Sequence, residues 1–405
     1  MKRVIVVGGG PAGIMAAMAA AERNKVLLIE RNEKLGKKLY ITGKGRCNVT
    51  NNKDISEFFD FIPGNPEFLY SSLYTYNNID IINYFEEMGV NLKVERGDRV
   101  FPKSDKSSDI INALRRSLDD KNVEIMLNTQ ISSINIENDS VKSLITDDGK
   151  VIKGDHFIIC TGGLSYPQTG STGDGLTFAK KAGHHITKIK PSLVPIEVKE
   201  PWIKDLQGLS LRNVELLIKN NQKTVYREFG EMLFTHYGVS GPIALKASRI
   251  IDEKADMSIV INLKPALKIE ELDKRIQKDF IKFSNKDFKN SLNELLPQKL
   301  ISTIVNLSGI DENKKVNSIT KEERRKLINI IQNFTLKVKG LRGIEEAIVT
   351  SGGVDIKEID PSTLKSKLIN NLSFAGEVMD VDAYTGGYNI QIAFSTGHLA
   401  GENID

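Results

Sequence analysis

The residues best placed to do chemistry are Gly8, Gly9, Gly10, Pro11, Ala12 and Gly13, a GxGxxG run that follows the apolar segment Arg3 to Val7 and opens the Ala-rich segment Pro11 to Arg23. In such a run Gly8 permits a tight turn, Gly10 lets the backbone approach a pyrophosphate, and Gly13 lets a helix pack closely on a strand. The helix start adds unpaired N–H groups and partial positive charge for the phosphates. Lys25 to Ile29 reads as the next buried strand, and Glu30 at its end is placed to accept hydrogen bonds from ribose hydroxyls. A carboxylate there disfavours a 2′-phosphate. The implied ligand is an ADP-containing dinucleotide without that phosphate, FAD or NAD. A plain Gly-rich turn is the bland alternative, and strand, motif, helix, strand and acid in register argue against it.

Two further turns decide between the cofactors. Thr161, Gly162 and Gly163 end the strand-like Asp155 to Cys160, and Gly376 with Glu377 ends Leu372 to Ala375. Ligands of open α/β sheets lie outside strand C-termini, and a cofactor long enough to touch three of them suits FAD. Gly386, Gly387, Tyr388 and Asn389 precede a final helix whose N–H groups and dipole would face the flavin pyrimidine edge, where reduction places negative charge. A plain helix start is equally compatible. Lys37, Lys38, Lys44 and Arg46 form a local basic cluster that would neutralise a pyrophosphate, bind an anionic substrate or stay solvated. Cys47 is expected to pack, since the only other cysteine is the distant Cys160 and no CxxC pair exists. His236 reads as an acid or base or, more simply, as a hydrogen-bonded structural histidine.

The elements that must position these residues follow from periodicity. The strand-helix-strand pattern runs on through a helix at Asp109 to Leu118 and strands at Val123 to Leu127 and Asp155 to Cys160. From Pro191 to Leu263 the texture becomes strand segments, Leu211 to Lys219 and Met257 to Leu263 among them, separated by turn residues. Ile269 to Phe334 is Lys- and Glu-rich with helical periodicity, and Thr320 to Glu323 fits a capping box. The 405 residues exceed one core and predict two or three domains. A net charge of +4 is too small to argue for nucleic acid or membrane, the apolar runs are too short to span a bilayer, and the N-terminus lacks an export pattern. A cytoplasmic protein without a metal site is expected.

The segments Gly36 to Asn51, Thr161 to Pro167, Gly170 to Gly175, Pro191 to Pro195, Leu233 to His236 with Ser240 to Pro242, and Gly376 to Asp380 with Gly386 to Asn389 complete the picture. On these motifs, in this order, the chain resembles the BaiN-like, or aminoacetone oxidase, family of NAD(P)/FAD-dependent oxidoreductases. The resemblance implies an α/β fold, a two-segment Rossmann-like FAD-binding domain with an inserted β-barrel and a helical subdomain. The expected boundaries are 1–190 for the first FAD segment, 191–265 for the barrel, 266–340 for the helices, 341–355 for a return through the barrel and 356–405 for the second FAD segment.

The resemblance further implies that FAD is contacted by Gly8, Gly10, Pro11, Ala12, Gly13, Glu30, Arg31, Lys38, Gly43, Arg46, Asn48, Ile131, Thr161, Gly162, Gly163, Gly376, Glu377, Asp382, Gly387, Tyr388, Asn389 and Ile390. The acid that holds the ribityl chain is one of Glu377, Asp380 and Asp382. The expected activity is hydride transfer between flavin and a small organic substrate held between the FAD domain and the insertion, with no catalytic side chain assigned. NAD(P)H docking transiently, or oxygen, is the redox partner. The rivals are a flavin-dependent nucleic-acid-modifying enzyme, with nucleic acid the less favoured partner, and a flavin-binding regulator without turnover.

Overall fold

Val4, Ile5 and Val6 are β-branched and fully buried, so the Arg3–Val7 strand can lie only where both faces are covered. In the computed structural model, which describes residues 1–404, it is the middle strand of a five-stranded parallel sheet. The order across the sheet is Leu372–Phe374, His156–Ile159, Arg3–Val7, Lys25–Ile29 and Glu124–Met126. The C-terminal strand pairs with Phe157 opposite Leu372 and Ile159 opposite Phe374. The end of the chain thereby completes the sheet that its beginning starts.

Two helices press together on this sheet, Pro11–Ala20 and Tyr388–Glu402. A Cβ on Gly13 would fall 1.8 Å from the Gly8 carbonyl oxygen, and one on Gly397 2.2 Å from the Ala12 carbonyl oxygen. Glycine at both positions is what allows turn, helix and helix to meet. Smaller antiparallel sheets flank this core, one of Thr50–Asn51, Arg99–Pro102 and Leu92–Glu95, the other of Ile131–Glu137, Ser140–Thr146 and Val151–Ile152.

The chain divides into one unit of residues 1–191 with everything from Ile344 on, and a second of Ser192–Gly343. The second is a closed barrel ordered Ile196–Val198, Gly238–Ser240, Lys223–Phe234, Ser210–Asn220, Met257–Asn262 and Phe334–Leu341, with the helices Ile269–Lys282, Gln298–Ser308 and Lys321–Gln332. Thr320 Oγ1 caps the last of these by accepting from the Glu323 N–H. Barrel residues such as Ile259 and Leu336 share one buried core with helical residues such as Ile304 and Leu327. The expected helical stretch 266–340 therefore needs correction. Its last residues, from Phe334, form a barrel strand, because Phe334, Leu336 and Val338 alternate with Thr335, Lys337 and Lys339 at period two. The expected return through the barrel at 341–355 is corrected likewise, since the chain leaves the barrel unit at Gly343.

Candidate dinucleotide site

The site is built where the parallel strands end. Gly8, with φ of +106°, donates its N–H to the Ile29 carbonyl at 2.8 Å and lies against Cys160, so the turns after the first, second and fourth strands in chain order converge there. Gly10 is the N-cap of the Pro11–Ala20 helix, with Pro11 in its first position and Ala12 buried behind it. A Cβ on Gly10 would meet no atom within 4 Å, whereas one on Gly9 would strike Leu35 and the Glu30 carboxylate. Gly10 thus faces open space at a helix N-terminus, as a pyrophosphate cradle requires.

Glu30 is 8% exposed. Its Oε2 accepts from the Gly9 N–H at 2.7 Å, and its Oε1 accepts from the Asn32 N–H at 2.8 Å and from Asn32 Nδ2 at 2.6 Å. A carboxylate has about four acceptor positions, so one remains for a ribose hydroxyl. Arg31 turns away to Gln130 Oε1 at 3.1 Å, Asp174 Oδ2 at 3.2 Å and Thr172 Oγ1, which ties the Gly170–Asp174 loop to this strand end. Ile131, next to Gln130, is buried at the start of its own strand.

The C-terminal turn closes the other side. A Cβ on Gly376 would lie 2.8 Å from the Ala12 Cβ, and the Gly376 N–H donates to Thr396 Oγ1 at 3.0 Å. Glu377 accepts from Lys38 Nζ through Oε2 at 2.7 Å, and from Ser165 Oγ and the Thr350 N–H through Oε1 at 2.7 and 2.8 Å. Gly162 has φ of +73°, and Gly163 is packed so closely that a Cβ would lie 2.4 Å from Thr350 Oγ1. Sequence reasoning missed Ser165 and Thr350 as members of this group. Ser165 lies within the Thr161 to Pro167 motif, but nothing local marks Thr350, whose partners are distant in sequence.

The segment Lys37–Gly45 is helical only in part. Gly43 and Lys44 have φ of 56° and 60°, Gly45 84° and Cys47 61°. At the two non-glycine positions this costs on the order of 1–3 kcal/mol each, the kind of strain that persists where surroundings demand a shape. Gly43 packs against Phe101 and the Asn48 backbone. Asn48 Oδ1 and Thr161 Oγ1 are the buried side-chain oxygens that lack a hydrogen-bond partner among the described residues. Leaving such groups unsatisfied costs roughly 1–3 kcal/mol each, which a polar ligand would recover. With the open face of Gly10, the orphaned Asn48 oxygen fits a bound dinucleotide, whereas Thr161 Oγ1 faces Gly175, on which a Cβ would lie 2.1 Å from it.

Other expected contact residues have partners within the chain. Arg46 pairs with Glu95 Oε1 at 2.8 Å and Asp105 Oδ1 at 3.2 Å while lying over the Phe101 ring, so its charge is neutralised within the chain. Tyr388 is buried, stacked on Phe61 at 4.5 Å and edge-on to Phe58 at 4.9 Å, which leaves only its backbone for a cofactor. The Asn389 side chain accepts from the Ala383 N–H at 2.8 Å and donates to the Ala383 and Tyr384 carbonyls at 2.7 and 3.3 Å. It braces a loop, so what this helix start offers is its backbone N–H groups rather than the Asn389 amide. Gly387 is the N-cap, packed so tightly that a Cβ would sit 2.3 Å from the Thr50 carbonyl oxygen. Asp382 is buried in a bridge to Gly64.

Cys47 and Cys160 are both buried, and burial pushes the Cys47 thiol up to about 12 and Cys160 higher still, which makes them packing groups rather than nucleophiles. Among the described residues no group of three or more His, Cys, Asp and Glu could hold a metal, and no helix is long and apolar enough to cross a membrane.

Known proteins resemble this chain over nearly its whole length. The family model described as the HI0933-like protein Rossmann domain matches residues 2–403. A 3-dehydro-bile acid delta(4,6)-reductase of Clostridium scindens is 30% identical over 99% of this chain and 98% of its own length. A ribosomal RNA dihydrouridine synthase of Haemophilus influenzae is 30% identical over the same shares of the two chains. The solved 3-ketosteroid delta1-dehydrogenase of Sterolibacterium denitrificans, 13% identical, superposes over 99% of this chain and 98% of its own with a TM-score of 0.52, a likeness of fold alone. The chain belongs to the HI0933-like Rossmann family, is BaiN-like as its motifs anticipate, and is an FAD-dependent oxidoreductase.

Proposed function

We propose that this protein saturates a carbon–carbon double bond conjugated to a carbonyl. The observation that carries the reading is the pair of relatives named above. One is named for reducing delta(4,6) double bonds of a 3-dehydro bile acid, the other for making dihydrouridine, the product of saturating the uracil ring. The double bond is conjugated to a carbonyl in both, although the molecules are otherwise unlike. What unites them is addition of hydride to an electron-poor carbon and of a proton to its neighbour.

FAD supplies the two-electron chemistry when bound. In this proposal the Gly8–Gly13 turn and its helix N-terminus hold the pyrophosphate, and Glu30 takes a ribose hydroxyl. Asn48, Thr161, Gly162, Gly163, Gly376 and Glu377 lie along the remainder, and the backbone at Gly387 to Ile390 points its N–H groups toward the end where reduction places charge. Such preorganised donors act without reorganising during the reaction. NAD(P)H is the proposed donor, and with no second GxGxxG strand-helix unit in the sequence it docks only transiently.

A small unsaturated ketone is the first substrate class. Lys37 pairs with Glu33, Lys38 with Glu377 and Arg46 with Glu95 and Asp105, so the basic cluster that would have met phosphates is largely neutralised internally. Uracil in ribosomal RNA is the second reading, favoured by the H. influenzae relative. The deciding experiment reduces the holoprotein anaerobically with NADH or NADPH, then offers a 3-oxo-4,6-diene steroid and, separately, unmodified ribosomal RNA. Gain of two hydrogen atoms by either, read by mass spectrometry, supports the shared chemistry and names the class. Reoxidation by oxygen alone, with neither substrate consumed, overturns it.

A further inference from the structure

Lys38, Ser165 and Glu377 come from distant parts of the chain and close a triangle. Lys38 Nζ is 2.7 Å from Ser165 Oγ and 2.7 Å from Glu377 Oε2, and Ser165 Oγ donates to Glu377 Oε1 at 2.7 Å. Ser165 is fully buried, while the Lys38 and Glu377 side chains are 23% and 19% exposed. Thr350 supports two corners. Its N–H donates to Glu377 Oε1, and its Oγ1 accepts from the Leu164 and Ser165 N–H groups at 2.7 and 3.1 Å.

The place is as informative as the contacts. Ser165 lies just beyond the His156–Ile159 strand and Glu377 just beyond Leu372–Phe374, and these strands are parallel neighbours. The triangle therefore sits at the C-terminal edge of the sheet, where α/β ligands lie. The glycine turn and Glu30 suit the phosphate and ribose end, so this edge borders the other end of the cofactor.

The two charges are not equally available. Glu377 receives three donors, from Lys38, Ser165 and Thr350. An ammonium carries three N–H groups, and Lys38 has two engaged, so one remains. Among the other cations of the segment, Arg31 is held by the 172–174 loop, Lys37 by Glu33, and Arg46 by Glu95 and Asp105, while Lys44 is exposed.

We propose that Lys38 is a positioning charge that makes the bound flavin easier to reduce. With FAD bound, the Ser165–Glu377 pair would hold the ammonium on the isoalloxazine side, and the proposal requires Glu377 to be the farther counter-charge that tempers the effect. Reduction places negative charge on the isoalloxazine, and a partly buried cation near it lowers the energy of that state. An ion pair has little net field at a distance, so the sign is decided by which partner stands nearer. The proposal rests on FAD lying along these strand ends as described above.

The test is an anaerobic midpoint titration of the FAD-loaded protein against a reference dye, made without substrate. Lys38→Met should keep its flavin absorbance and show a lower midpoint, by at least tenfold in the reduction equilibrium, about 30 mV for a two-electron couple. Lys38→Arg should restore most of the loss, and Glu377→Gln should move the midpoint upward. An unchanged or raised midpoint in Lys38→Met overturns the proposal. If Lys38→Met cannot hold FAD, Glu377→Gln decides, because an unchanged or lowered midpoint there overturns it too. Wild-type protein that retains no FAD would instead refute the cofactor placement, and the double-bond reading is judged separately, by the hydrogen gained by the two substrates.

Discussion

Gly397 faces the Ala12 carbonyl so closely that a Cβ placed on it would lie 2.2 Å from that oxygen. The last helix of the chain and the helix that opens the GxGxxG turn are thus in backbone contact. Replacing Gly397 with Val should force them apart and cost on the order of 1–3 kcal/mol of overpacking. Because Ala12 belongs to the turn, the flavin should be lost with the stability. A melting curve and the visible absorbance of one purified sample check both, and an unchanged melting temperature would contradict the packing argument.

Gly10→Val should behave in the opposite way. Gly10 has φ of −81° and ψ of −175°, an extended conformation open to any residue, and its added Cβ meets nothing in the protein. The variant should fold with the stability of the wild-type apoprotein yet fail to bind FAD, since the branched side chain occupies the pyrophosphate position. Apoprotein denaturation alongside FAD titration separates the two effects. Normal flavin retention would remove Gly10 from the site.

Asn389→Leu should loosen the loop its amide braces. Three hydrogen bonds to Ala383 and Tyr384 are lost and their backbone groups left to find water. The expected cost is about 1–3 kcal/mol, with faster amide exchange confined to residues 381–387. Exchange spread evenly over the Tyr388–Glu402 helix would instead assign Asn389 to the helix start itself.

Stability should fall on the acid side through His184. Its Nδ1 is 3.0 Å from Glu358 Oε2 and its Nε2 2.8 Å from Ser366 Oγ, and burial holds its protonation below the ordinary value of 6.5 despite the opposing pull of Glu358. The unfolded chain takes up the proton first. The contribution is therefore complete above 6.5 and is lost as pH falls from there through the lower value of the folded state, by at most about 1.4 kcal/mol per pH unit. His398, stacked on Tyr76 and likewise held low by burial, acts in the same direction. Denaturant midpoints measured across this window should slope less in His184→Gln than in the wild type, and parallel curves would exclude His184 as the source.

Local pattern in the chain was enough for the first strand-helix-strand unit, the capped helix at Thr320 and the Gly-rich turns at strand ends, because each depends on neighbours a few residues apart. The family motifs extended this to the cofactor and to the barrel between the two segments. What no local pattern carries is partnership across the chain. Lys38 and Glu377 meet only because the last strand pairs with His156–Ile159, and Thr350 joins them only by the path taken after Gly343. The same limit hid the intrachain partners of Arg46 and Asn389. A guanidinium or an amide has the same sequence signature whether it faces a cofactor or its own backbone, and only tertiary packing, by deciding which polar groups are buried near it, settles which partner it takes.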